Sequence, residues 1–151
     1  MAFWKKLFGD DDPRRVDYYR EGVDLLRDGK FHDALTSLRL ALKEAPGDSV
    51  VLQQIAICYT RIGMTDEAAK TYRHVLQRDR QAAGAHYGLA FILLRSGLPE
   101  EAIGHLEAFL AQAPSDPAAQ DHVTHARATL AQLRGEAHES HPEPPIVDER
   151  S

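Results

Sequence analysis

Apolar residues recur at helical spacing through most of the chain, in paired segments that a glycine separates. One such pair lies between residues 49 and 82. Its apolar positions are Leu52, Ile55, Ala56, Tyr59 and Ile62 in the first segment, and Ala68, Ala69, Tyr72 and Leu76 in the second. Residues three and four apart share one face of an α-helix, so each segment predicts an amphipathic helix. Gly63 is expected to end the first helix, because glycine tolerates the left-handed backbone of a helix C-terminus.

The paired pattern occurs three times, and matching residues are separated by a constant shift along the chain. Each matching position holds glycine, alanine, another small residue or a large apolar residue. The positions are Gly29, Gly63 and Gly97; Ala34, Ala68 and Ala102; Gly22, Ala56 and Ala90; Leu25, Tyr59 and Leu93; Leu38, Tyr72 and Leu106; and Leu42, Leu76 and Leu110. A single helix hairpin cannot bury its apolar face, so the repetition predicts hairpins that stack on one another.

This period and these residues resemble the tetratricopeptide repeat (TPR) family. The small residue in the first helix and the alanine in the second helix of each unit are the most specific marks. The resemblance implies an all-α fold: a right-handed superhelical solenoid of three helix hairpins plus a C-terminal capping helix. The three repeats are expected at residues 15–48, 49–82 and 83–116.

Three further segments flank the repeats. A capping helix is expected over residues 117–135, with Ser115 or Asp116 as its N-cap and Pro117 in its first turn. Gly135 is expected to stop this helix. Its apolar stripe consists of Val123, Ala126, Leu130 and Leu133. Residues 136–151 are rich in proline and acidic residues and are expected to form a disordered tail, and residues 1–13 form an amphipathic and acidic leader.

The resemblance also implies that the first helix of each repeat lines a concave groove that binds a partner protein. Carried over position by position, this groove has aromatic or amide side chains in one row, apolar side chains in a second row and arginines in a third. The predicted groove residues are Tyr19, Gln53 and Tyr87; Val23, Ile57 and Phe91; and Arg27, Arg61 and Arg95. Exposed apolar side chains are typical of an interaction surface, but packing between neighbouring repeats also explains them.

Two explanations also exist for Arg27, Arg61 and Arg95. A row of arginines suits an acidic or extended peptide, because a guanidinium group pairs with a carboxylate through two parallel hydrogen bonds. Each arginine also lies two residues before a glycine, in the last turn of its predicted helix. A cation there stabilises the helix by about 0.3–1 kcal/mol without any ligand. The sequence leaves both explanations open.

One subset of TPR proteins binds the acidic C-terminal tails of heat-shock chaperones through lysine, asparagine and arginine side chains in its groove. The corresponding positions in this chain are Tyr19 and Val23 in the first repeat, and Gly84 and Gly88 in the third. The sequence therefore argues against a chaperone-tail adaptor.

The leader supports several interpretations. Its large apolar residues pair at i, i+4 and are Phe3, Trp4, Leu7 and Phe8. A short amphipathic helix of this kind touches a membrane surface weakly or enters a partner's groove, and it can equally cap the first repeat or stay disordered. No apolar stretch approaches the roughly 20 residues that span a bilayer, and no secretory signal is present. The predicted location is the cytoplasm, with peripheral attachment to the inner membrane if the leader binds lipid.

Composition argues against other classes of protein. The net charge is −5, and the strongest basic clusters are Lys5–Lys6 and Arg14–Arg15, so nucleic-acid binding is not expected. Neither a glycine-rich phosphate loop nor a serine-nucleophile motif occurs. His122 and His125 are three residues apart, which is only a weak metal signal. Cys58 is expected to be a buried and inert thiol. We therefore expect no enzyme activity, no cofactor and no metal.

The sequence predicts a protein–protein interaction module, an adaptor or scaffold that binds an acidic or apolar peptide or helix in its groove. The alternative is a structural subunit of a larger or self-assembled complex, including an oligomer or a membrane-associated assembly. Alanine-rich helices in a compact repeat indicate a bacterial origin.

Overall fold

The computed structural model describes residues 16–140, which form seven α-helices and no β-strand. The helices are α1 Tyr18–Arg27, α2 Phe31–Glu44, α3 Ser49–Ile62, α4 Thr65–Arg78, α5 Ala83–Arg95, α6 Pro99–Gln112 and α7 Pro117–Ser140. The predicted all-α fold of three helix hairpins and one further helix is therefore confirmed. The chain divides between Arg80 and Gln81 into two compact units, of which the first contains α1–α4 and the second α5–α7.

The turn inside each hairpin is built in the same way. Gly29, Gly63 and Gly97 have positive φ angles of 78°, 92° and 77°. The residue after each glycine donates its backbone N–H, at 2.9 Å, to a carbonyl oxygen in the last turn of the preceding helix. These donors and acceptors are Lys30 and Leu25, Met64 and Tyr59, and Leu98 and Leu93. This Schellman arrangement satisfies carbonyl groups that the helix end leaves unpaired, and it confirms that Gly63 ends its helix.

The two helices of the first repeat, α1 and α2, approach each other closely at a small residue on α1. A Cβ atom placed on Gly22 would lie 2.6 Å from Cγ of Leu38 and 3.3 Å from the carbonyl oxygen of Ala34. Leu38 and Ala34 belong to α2 and have no exposed surface. The corresponding residues of the other repeats, Ala56 and Ala90, are also fully buried. The first repeat therefore needs glycine where the other two accept alanine.

The core of the second unit joins α7 to α5 and α6. Its buried residues are Ala90, Leu106, Phe109, Val123, Ala126 and Leu130, and Leu133 is partly buried against them. Three of these residues come from α7, so the predicted apolar stripe of the capping helix is confirmed. Because α7 covers Leu106 and Phe109 of α6, it is an integral part of the core of this unit.

The start of α7 agrees with the prediction and its end does not. Oδ1 of Asp116 accepts the backbone N–H of Ala119 at 2.8 Å, which is the expected N-cap. The helix then passes through Gly135 to Ser140, so the predicted stop at Gly135 is wrong, and residues 136–140 are helical rather than part of a tail. An internal glycine costs a helix only about 1 kcal/mol relative to alanine. Leu133 packs against the core just before this glycine, and Arg134 pairs with Glu107 of α6 at 2.6 Å, although solvent screens that exposed pair.

Among residues 16–140, no helix is both long enough and apolar enough to cross a bilayer. The leader of residues 1–13 and the last residues, 141–151, lie outside the described part of the chain. The predictions for those two segments stay predictions.

Candidate functional site

The predicted groove residues of the first unit lie on α1 and α3, which contact each other. Tyr19 and Val23 on α1 and Gln53 and Ile57 on α3 are each half-buried. The neighbouring Leu52, by contrast, is buried in the core. Packing thus fixes the positions of these four side chains and leaves part of each one exposed.

The three arginines occupy the last turns of α1, α3 and α5, and all three are exposed. Nη1 of Arg27 lies 3.3 Å from Oδ1 of Asp24, but both side chains are more than half exposed, so solvent screens this pair. The guanidinium carbon of Arg61 lies 5.0 Å from the centre of the Phe31 ring, a cation–π distance. Within residues 16–140, the side chain of Arg95 forms neither a hydrogen bond nor an ion pair. The ligand and helix-end explanations both stay open.

The second unit gathers five rings into one aromatic cluster, formed by Tyr87, Phe91, Phe109, His122 and His125. The centre of the Tyr87 ring lies 4.8 Å from Phe91, 5.0 Å from Phe109 and 4.8 Å from His122. The ring of His125 stacks on Phe91 at 4.7 Å, with only 9° between the two planes. Phe109 is buried, Tyr87 and Phe91 are half-buried, and the histidines are exposed. The cluster thus has a buried base and an open aromatic face.

A hydrogen bond within the cluster links α5 to α7. The hydroxyl oxygen of Tyr87 lies 2.9 Å from Nδ1 of His125. A phenol is protonated at neutral pH, and burial raises the pKa of Tyr87 further. A phenol both donates and accepts hydrogen bonds, so it pairs with Nδ1 whether or not that nitrogen carries a proton. The position of His125 beside Phe91 is therefore compatible with either tautomer.

The spacing of His122 and His125 indicated only a weak metal site, and their place in the aromatic cluster was not predicted. Each histidine directly precedes a buried residue of α7, Val123 or Ala126, and that adjacency is the signal that could have found them. A second histidine pair, His86 and His105, links α5 to α6 with 3.0 Å between the two Nδ1 atoms. Within the described residues, no group of three or more His, Cys, Asp or Glu side chains is placed to hold a metal ion.

The thiol of Cys58 is fully buried in the first unit, as the sequence predicts. Burial raises its pKa from 9.0 to about 11, so the reactive thiolate is scarce at neutral pH. Phe3, Trp4, Leu7 and Phe8, the residues predicted for membrane or partner contact, lie outside the described part of the chain.

A family model for tetratricopeptide repeats matches residues 25–75 and residues 63–125 of this sequence. The chain belongs to the tetratricopeptide repeat family. The two matches overlap and together cover more than half of this TPR protein, from α1 into α7. The resemblance inferred from the glycine, alanine and leucine positions is thus confirmed.

Several solved structures have the same TPR fold. One is PcrH, a protein of Pseudomonas aeruginosa, in complex with the chaperone-binding region of PopD. It has a TM-score of 0.72 and 19% identity, covering 80% of this chain and 90% of that one. Another is the type III secretion chaperone SycD of Yersinia enterocolitica with a peptide of the translocator YopD. It has a TM-score of 0.74 and 18% identity, covering 83% of this chain and 99% of that one.

A third is the first TPR of Spaghetti (RPAP3), bound to the HSP90 peptide SRMEEVD. It has a TM-score of 0.69 and 17% identity, covering 80% of this chain and 90% of that one. At this level of identity the three likenesses establish a common fold.

Proposed function

We propose that this TPR protein is an adaptor that binds a short segment of a partner protein on the first-helix faces of its repeats. The aromatic cluster of the second unit is the observation that carries this proposal. Tyr87 and Phe91 stand at predicted groove positions and keep exposed surface, and His122 and His125 of α7 enlarge the same face. Partly exposed aromatic side chains on a rigid base are typical anchors for protein ligands.

The other predicted groove residues define the chemistry of the proposed ligand. Val23 and Ile57 offer aliphatic surface in the first unit, and both are half-buried. Arg27, Arg61 and Arg95 are exposed cations at the ends of the same helices. A segment that carries apolar side chains beside carboxylates would satisfy both kinds of residue.

Proteins of the same fold support this mode of binding. The structures of PcrH, SycD and Spaghetti each contain a segment of another protein: the chaperone-binding region of PopD, a peptide of YopD and an HSP90 peptide. The HSP90 type of ligand does not fit this chain, because Tyr19, Val23, Gly84 and Gly88 stand at the positions that recognise heat-shock tails. The proposed ligand is therefore an acidic–apolar segment of a different protein.

Selection from a displayed peptide library tests the proposal directly. Immobilised full-length protein should enrich peptides that combine carboxylates with aliphatic or aromatic residues. The enriched peptides are then titrated with the wild type and with Arg27→Glu/Arg61→Glu/Arg95→Glu by fluorescence anisotropy. The charge reversal should weaken binding about tenfold or more, since opposite charges become like charges at the contact.

A matched control variant is Lys30→Glu/Lys43→Glu/Arg127→Glu, which makes the same change in net charge at three exposed positions outside the predicted groove. It should leave the affinity within about twofold, apart from screened long-range effects. If the two triple variants bind the peptides equally, or if the wild type enriches no peptide, the adaptor proposal is wrong. Light scattering that shows concentration-dependent assembly in that case would favour the structural-subunit alternative.

A further inference from the structure

The first unit has a concave surface that none of the predicted groove residues lines. It is a cleft of about 730 Å³ between α2 and α4, with α3 as its floor. The floor is apolar, since Leu52 and Ile55 of α3 line it together with Leu42 of α2 and Ala69 of α4. We call this surface the α2–α4 cleft.

The rim of the α2–α4 cleft is basic. Arg39 of α2 and Lys70 and Arg73 of α4 line it, and Asp66 is the one carboxylate among the lining residues. Nη2 of Arg39 donates to the hydroxyl of Tyr59 at 2.6 Å, and its guanidinium carbon lies 5.8 Å from the Tyr59 ring centre. These contacts hold the Arg39 cation over the floor, and within residues 16–140 they use one of its five N–H donors. A positioned cation above apolar surface attracts a carboxylate that lies next to an aliphatic group.

The position of Arg39 holds a charged residue in all three repeats. Arg39, Arg73 and Glu107 occupy the same place in the three repeats. In the second unit, Glu107 pairs at 2.6 Å with Arg134, which comes from the element that follows the repeat. The position therefore suits an ion pair with a neighbouring segment. In the first unit the charge is reversed, and Arg39 instead contacts the neutral hydroxyl of Tyr59.

The chain itself contains a segment with the complementary pattern, at residues 143–149. Ile146 and Val147 stand next to each other, with Glu143 before them and Asp148 and Glu149 after them. Two prolines, at positions 144 and 145, favour an extended backbone in this segment, which lowers the entropy lost on docking.

We propose that residues 143–149 dock in the α2–α4 cleft, with Ile146 and Val147 on its apolar floor and the acidic residues beside Arg39 and Lys70. Two small aliphatic side chains and a few screened ion pairs correspond to a dissociation constant on the order of 0.1–1 mM for the free segment. Tethering adds to this affinity only where the connecting chain reaches the cleft, in the same molecule or in a second copy. The first-helix groove residues take no part in this contact.

A peptide titration tests the proposal with the full chain. The probe is a fluorescein-labelled synthetic peptide of residues 141–151. The receptor carries Ile146→Ser/Val147→Ser, which weakens competition from its own segment. Anisotropy should rise to saturation, and adding Arg39→Glu/Lys70→Glu should weaken binding about fivefold or more. A peptide with Asp148→Lys/Glu149→Lys should recover binding to that charge-reversed receptor, which distinguishes a lost contact from a misfolded protein.

Lys30→Glu/Lys43→Glu is the matched control, because it makes the same charge change at exposed positions of the same unit that line neither the cleft nor the predicted groove. It should leave the affinity for the peptide within about twofold. Absence of saturable binding at millimolar concentration overturns the proposal. So does a loss of binding that appears with Arg27→Glu/Arg61→Glu and not with Arg39→Glu/Lys70→Glu, because that result places the peptide in the predicted groove. Either result leaves the proposed adaptor function untouched, because that function is tested with library peptides on the groove variant.

Amide relaxation in the ¹⁵N-labelled wild type identifies where the docked segment comes from. Restricted motion of Ile146 and Val147 that is independent of protein concentration indicates docking within one molecule. Restricted motion that increases with concentration indicates docking into a second copy, and both results support the cleft as the site. Motion typical of a free peptide at every concentration overturns the proposal.

Discussion

The effect on stability of replacing a glycine by alanine in this protein depends on the atoms that surround the new Cβ atom. Gly22 and Gly104 both lie inside helices, where glycine is a weak helix former. A Cβ atom on Gly22 would meet the buried side chain of Leu38 at 2.6 Å, whereas one on Gly104 would have no heavy atom within 4 Å. The same chemical change is therefore expected to have opposite effects at the two positions.

Gly22→Ala should lower the free energy of unfolding by about 1–3 kcal/mol, because overpacking against Leu38 and Ala34 outweighs the better helix propensity of alanine. Gly104→Ala should raise the free energy of unfolding by about 0.5–1 kcal/mol. Urea denaturation followed by circular dichroism measures both values. A Gly22→Ala protein as stable as the wild type would show that α1 and α2 do not need this close approach.

Helix ends in this protein are stabilised in different ways, although the hairpin turns are alike. Asp48 caps α3, and its Oδ1 accepts the backbone N–H groups of Val50 and Val51 at 2.9 and 3.2 Å. The corresponding residue before α5 is Ala82, whose side chain makes no such bond. The strength of a helix start is thus a property of each element rather than of the repeat.

Asp48→Ala should lower the free energy of unfolding by about 1 kcal/mol, because two N–H groups of α3 lose their acceptor. Asp48→Asn keeps an oxygen acceptor at the same place and should cost less than half as much. Chemical denaturation at neutral pH compares the two variants. Equal losses in both would mean that the negative charge near the helix dipole matters, and not the hydrogen bonds.

The last helix is expected to be as important for stability as the repeats, because α7 supplies Val123, Ala126 and Leu130 to the core of the second unit. Leu130→Ala should cost about 2–4 kcal/mol through lost burial and a new cavity. Arg127→Ala removes an exposed side chain from the same helix and should change stability by less than about 0.5 kcal/mol. Hydrogen exchange should show the loss of protection for Leu130→Ala in α6 and α7. Similar stability of the two variants would contradict a structural role for α7.

Helix positions could be predicted from the sequence because each depends on local chemistry. Gly63 needs a left-handed backbone and Asp116 caps the helix that follows it, so short sequence signals locate both ends. The end of α7 could not be predicted in this way. Gly135 costs the helix only about 1 kcal/mol, and the packing of Leu133 against the core of the second unit cannot be inferred from local spacing.

For the molecule as a whole, the free energy of unfolding should decrease as the pH becomes alkaline. Burial raises the pKa of Cys58 from 9.0 to about 11 and that of Tyr72 from 10.0 to about 12. The folded pKa of each group exceeds the unfolded value, so the unfolded chain loses its protons first. The full contribution of both groups to stability is therefore present below about pH 9. The contribution of Cys58 is lost as pH rises from 9 through about 11, and that of Tyr72 as pH rises from 10 through about 12. Each loss is up to about 1.4 kcal/mol per pH unit.

Urea denaturation between pH 7 and pH 11 measures this dependence. Cys58→Ala should reduce the alkaline slope that begins near pH 9, and Tyr72→Phe should reduce the slope that begins near pH 10. A slope that is unchanged in both variants would show that other groups control alkaline unfolding. Neither Cys58 nor Tyr72 is a predicted groove residue, so this test concerns the fold alone.

The surfaces of the molecule could be predicted only in part. The resemblance to TPR proteins predicted that Tyr87 and Phe91 share a face, and their ring centres lie 4.8 Å apart. The stacking of His125 on Phe91 and the bond from Arg39 to Tyr59 join residues of different helices. Such contacts depend on rotamers and interhelical distances, which a hydrophobic pattern does not encode.

The burial of Cys58 has a practical consequence for studying how the first unit moves. It is the one cysteine in the chain, and its side chain has no exposed surface in the folded state. A thiol reagent added to the native protein therefore modifies only molecules in which α3 has opened transiently. The rate of mass increase at several reagent concentrations gives the frequency and the free energy of that opening. The unmodified chain is thus its own probe of local unfolding in the unit that contains the α2–α4 cleft.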